Sequence, residues 1–119
     1  MIKLKNLREW GDPVARIGQE KVMSYYTGLP IDLNRLYLSP LREDRTPSCS
    51  FYYAPNGTLK LHDFATSEMF SAVDVIMRKF ALTYKDALRR IEKDEIHIKA
   101  HKVEVKAKED IEITYMLIS

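Results

Sequence analysis

Apolar and polar residues are distributed along this chain in blocks of different period, and each block predicts an element. Asp12-Pro13 is a helix start, with Asp as the cap and Pro in the first turn. Val14, Ile17, Val22, Met23 and Tyr26 then form one apolar stripe if the helix breaks or re-phases near Gly18. Gly28 is the expected stop, with Pro30 shortly after it. Residues 31–38 are mixed and read as partly extended. Residues 39–48, rich in Pro, Ser and charge, read as an irregular loop.

A hairpin follows. Ser50-Phe51-Tyr52-Tyr53 is aromatic and strand-like, Ala54-Pro55-Asn56-Gly57 is turn chemistry, and Thr58 to His62 alternates. Phe51 and Tyr53 share one face with Leu59 and Leu61, which leaves Tyr52, Lys60 and His62 for the other. Two helices come next, each with a capping-box-like start, at Ser71 to Asp74 and at Thr83 to Asp86. The first is expected to bury Val73, Ile76, Met77 and Phe80, and the second Tyr84, Ala87, Leu88 and Ile91. The short Ala81-Leu82 link makes them a helical hairpin. Beyond Asp94 the period falls to two, with Ile96 and Ile98, Val103 and Val105, Ile111 and Ile113. The expected organisation is therefore one domain over residues 1–94 and, over 95–119, a β-rich arm or the start of a following segment, with the apolar Met116-Leu117-Ile118 near its end.

At 119 residues with a hydrophobic fraction of 45%, the chain suits one small folded domain rather than a disordered one. No apolar run approaches the ~18 residues of a membrane span, and the first residues lack a signal-peptide core. A single cysteine, Cys49, excludes a disulfide framework and a cysteine zinc site. These features make a cytoplasmic location the default expectation. Net charge is +2, but residues 1–60 carry +3 and the remainder −1, so phosphate contacts belong to the front half.

Three stretches, in order, carry a resemblance. Ser39-Pro40-Leu41-Arg42-Glu43-Asp44-Arg45-Thr46-Pro47-Ser48 is similar to Cys-Pro-x-His-x-x-Lys-Thr-Pro-Ser. Leu61-His62-Asp63-Phe64-Ala65-Thr66 is similar to aromatic-x-His-Cys-Phe-x-Cys, read from its second position. Leu82 to Ile91 is close to Leu-Ser-Phe-x-Glu-Ala-Leu-Arg-Arg-Leu. Over roughly residues 30–92 the chain thus resembles the N-terminal zinc-ribbon domain of bacterial and phage DNA primases, in a version without its zinc ligands. The family's Gly-Gly-Asp after the last Cys is replaced here, with Glu68, Met69 and Phe70 in that region. The resemblance implies an α+β fold, a small antiparallel sheet with flanking helices, metal-free.

The resemblance matches Ser39, Arg42, Asp63 and Thr66 to the four metal ligands. That set is no zinc site. Arg42 and Asp63 are expected to form an ion pair where the metal was, with Ser39 and Thr66 satisfying the remaining polar groups. Cys49 stands where the family has Phe, and reads as a small buried hydrophobe in preference to a ligand beside His62 and Asp63. No cofactor and no catalytic residue are assigned.

In the resembling family this domain binds template DNA, while polymerisation belongs to a separate domain with acidic metal-binding residues. This chain is too short to hold that domain as well. The first expectation is therefore a module that contacts single-stranded template DNA during primer synthesis, in a primase-like replication protein of phage or mobile-element type. Its binding candidates are Arg42, Arg45, Tyr52, Lys60 and His62, cations for phosphates and an aromatic face for bases. Tyr53 is the weaker stacking candidate because it shares its face with Phe51. For Arg45 the competing reading is a loop-stabilising pair with Glu43 or Asp44. The alternative function is a protein-interaction module that docks a helicase or a primase catalytic domain, or self-associates as a homo-oligomer through the arm, without binding DNA. A hydrolase or nuclease finds no support: His97 and His101 would share a helix face, but their local pattern is strand-like.

Overall fold

Short-range signals are realised first in the computed structural model, which describes residues 12–109. Helix α1 (Pro13–Ile17) is capped by Asp12, whose Oδ1 accepts from the Ala15 amide at 3.1 Å. Gly18, at φ 114°, breaks the helix there and starts α2 (Gln19–Thr27) on a new phase. Gly28 closes α2 in the left-handed conformation, its amide on the Ser24 carbonyl at 2.8 Å. The re-phasing sends Val22, Met23 and Tyr26 into the core and leaves Val14 and Ile17 packed at its margin.

Strand β1 (Ile31–Asp32) precedes the 39–48 loop, and β2 (Cys49–Tyr53) and β3 (Leu59–Asp63) form the expected hairpin. Its register sets Cys49 opposite Asp63, Ser50 opposite His62 and Tyr52 opposite Lys60. A third antiparallel strand, β4 (Glu68–Phe70), pairs with β3 so that His62 faces Met69 across the ladder. Sequence reading missed this strand. The bend leading into it has no glycine, and Ser67 takes the left-handed conformation instead, at φ 61°.

The sheet is covered on one face. Phe51, Leu59, Leu61 and Phe70 point inward and join Val22, Met23, Val75, Ile76, Ala87, Ile91 and Ile98 in one core. Burial of this apolar area is the main stabilising term. The fold is α+β, a three-stranded antiparallel sheet with flanking helices. None of the helices among the described residues is long and apolar enough to cross a membrane.

Helix α3 (Ala72–Phe80) has a complete capping box between Ser71 and Asp74. Helix α4 (Tyr84–Lys93) is capped by Thr83, whose hydroxyl accepts from the Asp86 amide. Their inner faces differ in detail from expectation. Ala72, Val75 and Ile76 are the buried positions of α3, while Val73, Met77 and Phe80 are half-buried. Tyr84 is 59% exposed, because the first residue of α4 precedes the turn that meets the core.

The largest correction concerns residues 95–100, expected as strand and found as helix α5 (Glu95–Ala100). Residues two apart share a face in a strand but lie on nearly opposite sides of a helix. Accordingly Ile98 is fully buried and Ile96 is 81% exposed. Glu95 anchors the helix through Arg16 at 2.7 Å and Lys99 at 2.8 Å. The chain then returns to the domain, where β5 (Val105–Lys106) pairs in parallel with β1. His101 ends α5 against α2, its Nε2 at 2.9 Å from the Ser24 hydroxyl. The apolar end at Met116, Leu117 and Ile118 lies outside the described residues, as do Ile111 and Ile113.

Ala81 closes α3 in the left-handed conformation at φ 54°, where a Cβ is unfavourable. Ala81→Gly is expected to raise stability by about 0.5–1 kcal/mol, read as a higher midpoint in thermal unfolding.

Candidate nucleic-acid interface

Asp63 ends β3 and is almost fully buried, 3% exposed. A buried carboxylate requires donors on its oxygens. Arg42 provides two of them, Nε to Oδ2 at 3.0 Å and Nη2 to Oδ1 at 3.1 Å. The Ala65 and Thr66 amides donate to Oδ1 at 3.0 and 3.4 Å. One carboxylate therefore ties the 39–48 loop to the sheet and caps the turn that follows. The Arg42 guanidinium, with the two turn amides, holds the Asp63 carboxyl below the ordinary carboxylate range.

A second carboxylate organises the loop itself. Asp44 Oδ2 accepts from the Ser39 amide at 3.0 Å and from the Ser48 hydroxyl at 3.1 Å, and Oδ1 lies 3.3 Å from Arg42 Nη1. The Ser39 amide, followed by Ser48 and Arg42, lowers its pKa as well. Ser39 Oγ accepts from the Leu41 amide, so Ser39 supports the loop without touching the Arg42–Asp63 pair. Thr66 reaches the pair through its amide alone. Cys49, opposite Asp63 on β2, is buried, and burial pushes its thiol pKa up. A divalent cation does not fit here: a guanidinium fills the corner and both Asp63 oxygens have donors. Among the described residues no group of three or more His, Cys, Asp or Glu is arranged to hold a metal.

The expected binding residues separate into two sets. Arg42 is committed to Asp63, Asp44, Ser48 and the Glu43 carbonyl, so it builds the corner and has no nitrogen directed at a ligand. Arg45 is exposed and makes no ion pair among the described residues, because Asp44 is taken by Arg42. Tyr52, Lys60 and His62 lie together on the outer face of the sheet, all half-buried.

That face also holds residues that sequence reasoning passed over. Phe64 continues the β3 alternation one step beyond the strand, its amide on the Ser48 carbonyl at 2.8 Å, and is 55% exposed. The Tyr52, His62 and Phe64 rings form a row, with centroids 6.0 and 4.1 Å apart. Met69 flanks it on β4, 52% exposed, and accepts the Tyr52 hydroxyl on sulfur at 2.7 Å. The His62-x-Phe64 spacing was the available signal, since alternate residues of a strand share a face. Met69 needed the β3–β4 register. Tyr53 lies elsewhere, bonded through its hydroxyl to Glu20 at 2.8 Å.

Two clefts bear on the chemistry. The roomier, about 620 Å³, lies between α1, the hairpin turn and the start of α3, with Asp12 and Glu20 in its wall, and so repels phosphate. A smaller one, about 260 Å³, shares Tyr52 and Phe64 with the aromatic row and has Arg35 and Lys108 in its lining.

Acidifying solution is expected to erase the contribution of the Arg42–Asp63 pair. A depressed carboxyl contributes stability above its unfolded-state pKa and loses it as pH falls through the lower folded value. Arg42→Ala should therefore be destabilised at neutral pH, and its deficit should close below about pH 4. Asp63→Ala is expected to cost on the order of 2 kcal/mol. The double variant should lose less than the two single losses together, as read from a denaturant-unfolding cycle.

Comparison with protein-family models, with curated proteins and with solved structures returns no match for this chain.

Proposed function

We propose that this chain is a single-stranded DNA-binding module of a primase-like replication protein, which contacts the template without itself carrying catalytic groups. The observation that supports this most is the aromatic row of Tyr52, His62 and Phe64 on the outer face of the sheet. Non-specific single-strand binders combine such a platform with cations that follow the backbone. Lys60 stands on the same face, and Arg45 is exposed in the adjoining loop. Arg42 acts here as a positioning residue: its fork on Asp63 fixes the turn from which Phe64 projects.

A rigid platform suits this role because the rings are held before any ligand arrives. Tyr52 contacts Met69 through its hydroxyl, and His62 lies between Tyr52 and Phe64. Stacking of a base on such a ring contributes about 1–3 kcal/mol and tolerates any base. The order of the three resembling stretches adds to the reading.

The second reading is docking of a helicase or primase partner. Exposed Phe64, Met69 and Leu38 favour it, since apolar groups of this size also anchor protein contacts. The two readings separate by salt. Template binding releases counterions and weakens steeply as salt rises, whereas apolar docking does not.

Fluorescence anisotropy of a labelled mixed-sequence oligonucleotide, at two salt concentrations, tests the proposal. Phe64→Ala is expected to weaken binding by about 1–3 kcal/mol. Lys60→Ala should weaken it across all sequences and lower the salt slope by about one. Absence of binding at low salt would overturn the proposal in favour of the docking module.

A further inference from the structure

The cleft beside the aromatic row has features that the open face lacks. Leu36, Ser50, Tyr52 and Phe64 line it, and its two charged lining residues are Arg35 and Lys108. Its volume of about 260 Å³ is below the roughly 300–1,000 Å³ of sites for drug-sized ligands. Much of the lining is apolar or aromatic, its two charged members are both cations, and it shares Tyr52 and Phe64 with the stacking surface. Leu36 is 53% exposed at the mouth.

Long-range contacts build this cleft. The Leu33 amide donates to the Lys106 carbonyl at 3.0 Å, beside the β1–β5 pairing. Asn34 Nδ2 donates to the Ala107 carbonyl at 2.9 Å, and the Glu109 amide donates to Asn34 Oδ1 at 2.8 Å. These bonds bracket residue 108 and hold Lys108 in the lining. The Asn34 amide group is engaged on both of its atoms, so it supports the wall and does not read a ligand. Arg35 is held over the Tyr37 ring, 5.2 Å from its centroid.

We propose that this cleft takes a single nucleobase of the bound strand, with the adjoining phosphate between Arg35 and Lys108; the inference rests on the single-stranded DNA reading above. The occupant follows from the combination of features. A planar ring fits a small slot with an aromatic wall, and the two cations complement a phosphate attached to that ring. Continuity with the Tyr52–His62–Phe64 row lets neighbouring bases stack outside while one enters. Ser50, which lines the cleft from β2, offers a hydroxyl to the base edge. The interface is thereby a stacking row with an adjoining cleft, and Arg35 and Lys108 become binding residues beside Lys60.

The test uses the full chain and a fluorescein-labelled oligothymidylate of about ten nucleotides. Ser50→Leu fills the slot from β2, and Leu36→Trp covers its mouth from the opposite wall. Each keeps all charges. Each is expected to weaken binding about tenfold with an unchanged salt slope. Arg35→Ala should weaken binding and lower the slope by about one. The two slot variants lie on different segments, so a folding defect in one, detected by thermal unfolding, leaves the other to decide. If both folded variants bind as the parent does, or more tightly, while Phe64→Ala binds more weakly, the strand stays on the open face. The cleft proposal then fails and the functional reading stands. If the parent chain shows no salt-dependent binding, both fail.

Discussion

Asp63 and Arg42 hold the corner on which the exposed face depends. A carboxylate at the end of a strand, nearly excluded from water, is stable only when its oxygens are fully engaged. Here the donors come from a loop guanidinium and two successive turn amides. The same carboxylate thus fixes three things: where β3 stops, how the following turn bends, and where the 39–48 loop lies. Phe64 falls between Asp63 and the two amides it anchors, so the direction of its ring follows from that one charge pair. The paired fork also explains how a corner with no arrangement for a metal among the described residues keeps a defined geometry.

The sheet divides its work between faces. Inward, Phe51, Leu59, Leu61 and Phe70 join one core with buried residues of α2, α3, α4 and α5. Outward, the alternate positions carry rings, a thioether and a lysine that no helix among the described residues covers. Rigidity on the first side serves the second, since Tyr52 and His62 are mounted on packed strands and Phe64 on the turn directly after one. A ligand meeting such a surface gives up its own freedom but little of the protein's.

Features set within a few residues were legible in the sequence, and features set by distant partners were not. Asp12, Gly18, Gly28, Ser71 and Thr83 act through their immediate neighbours, and each cap or break is where the pattern predicted it. The hairpin and its two faces follow from the turn and the alternation. The Arg42–Asp63 pairing was also legible, through the matched positions of the two stretches. Strand β4 was missed because three residues carry no periodicity and exist as strand only through β3. Helix α5 was misread because a two-residue apolar spacing is ambiguous until the core selects Ile98 and leaves Ile96 outside. Arg35 and Lys108 could not be joined from sequence, since the β1–β5 pairing and the Asn34 side-chain bonds that bring their segments together are long-range.

That parallel pairing has a mechanical corollary. It consists of two residues from each strand, the fewest that can register one segment against another, and it is reinforced by one asparagine side chain. Such a short, half-exposed seam opens at far lower free energy than the core beneath it. Residues 103–109 therefore behave as a latch on the domain. Tension applied beyond residue 109 would act first on that latch, and would change one wall of the cleft while the sheet and its helices stayed folded.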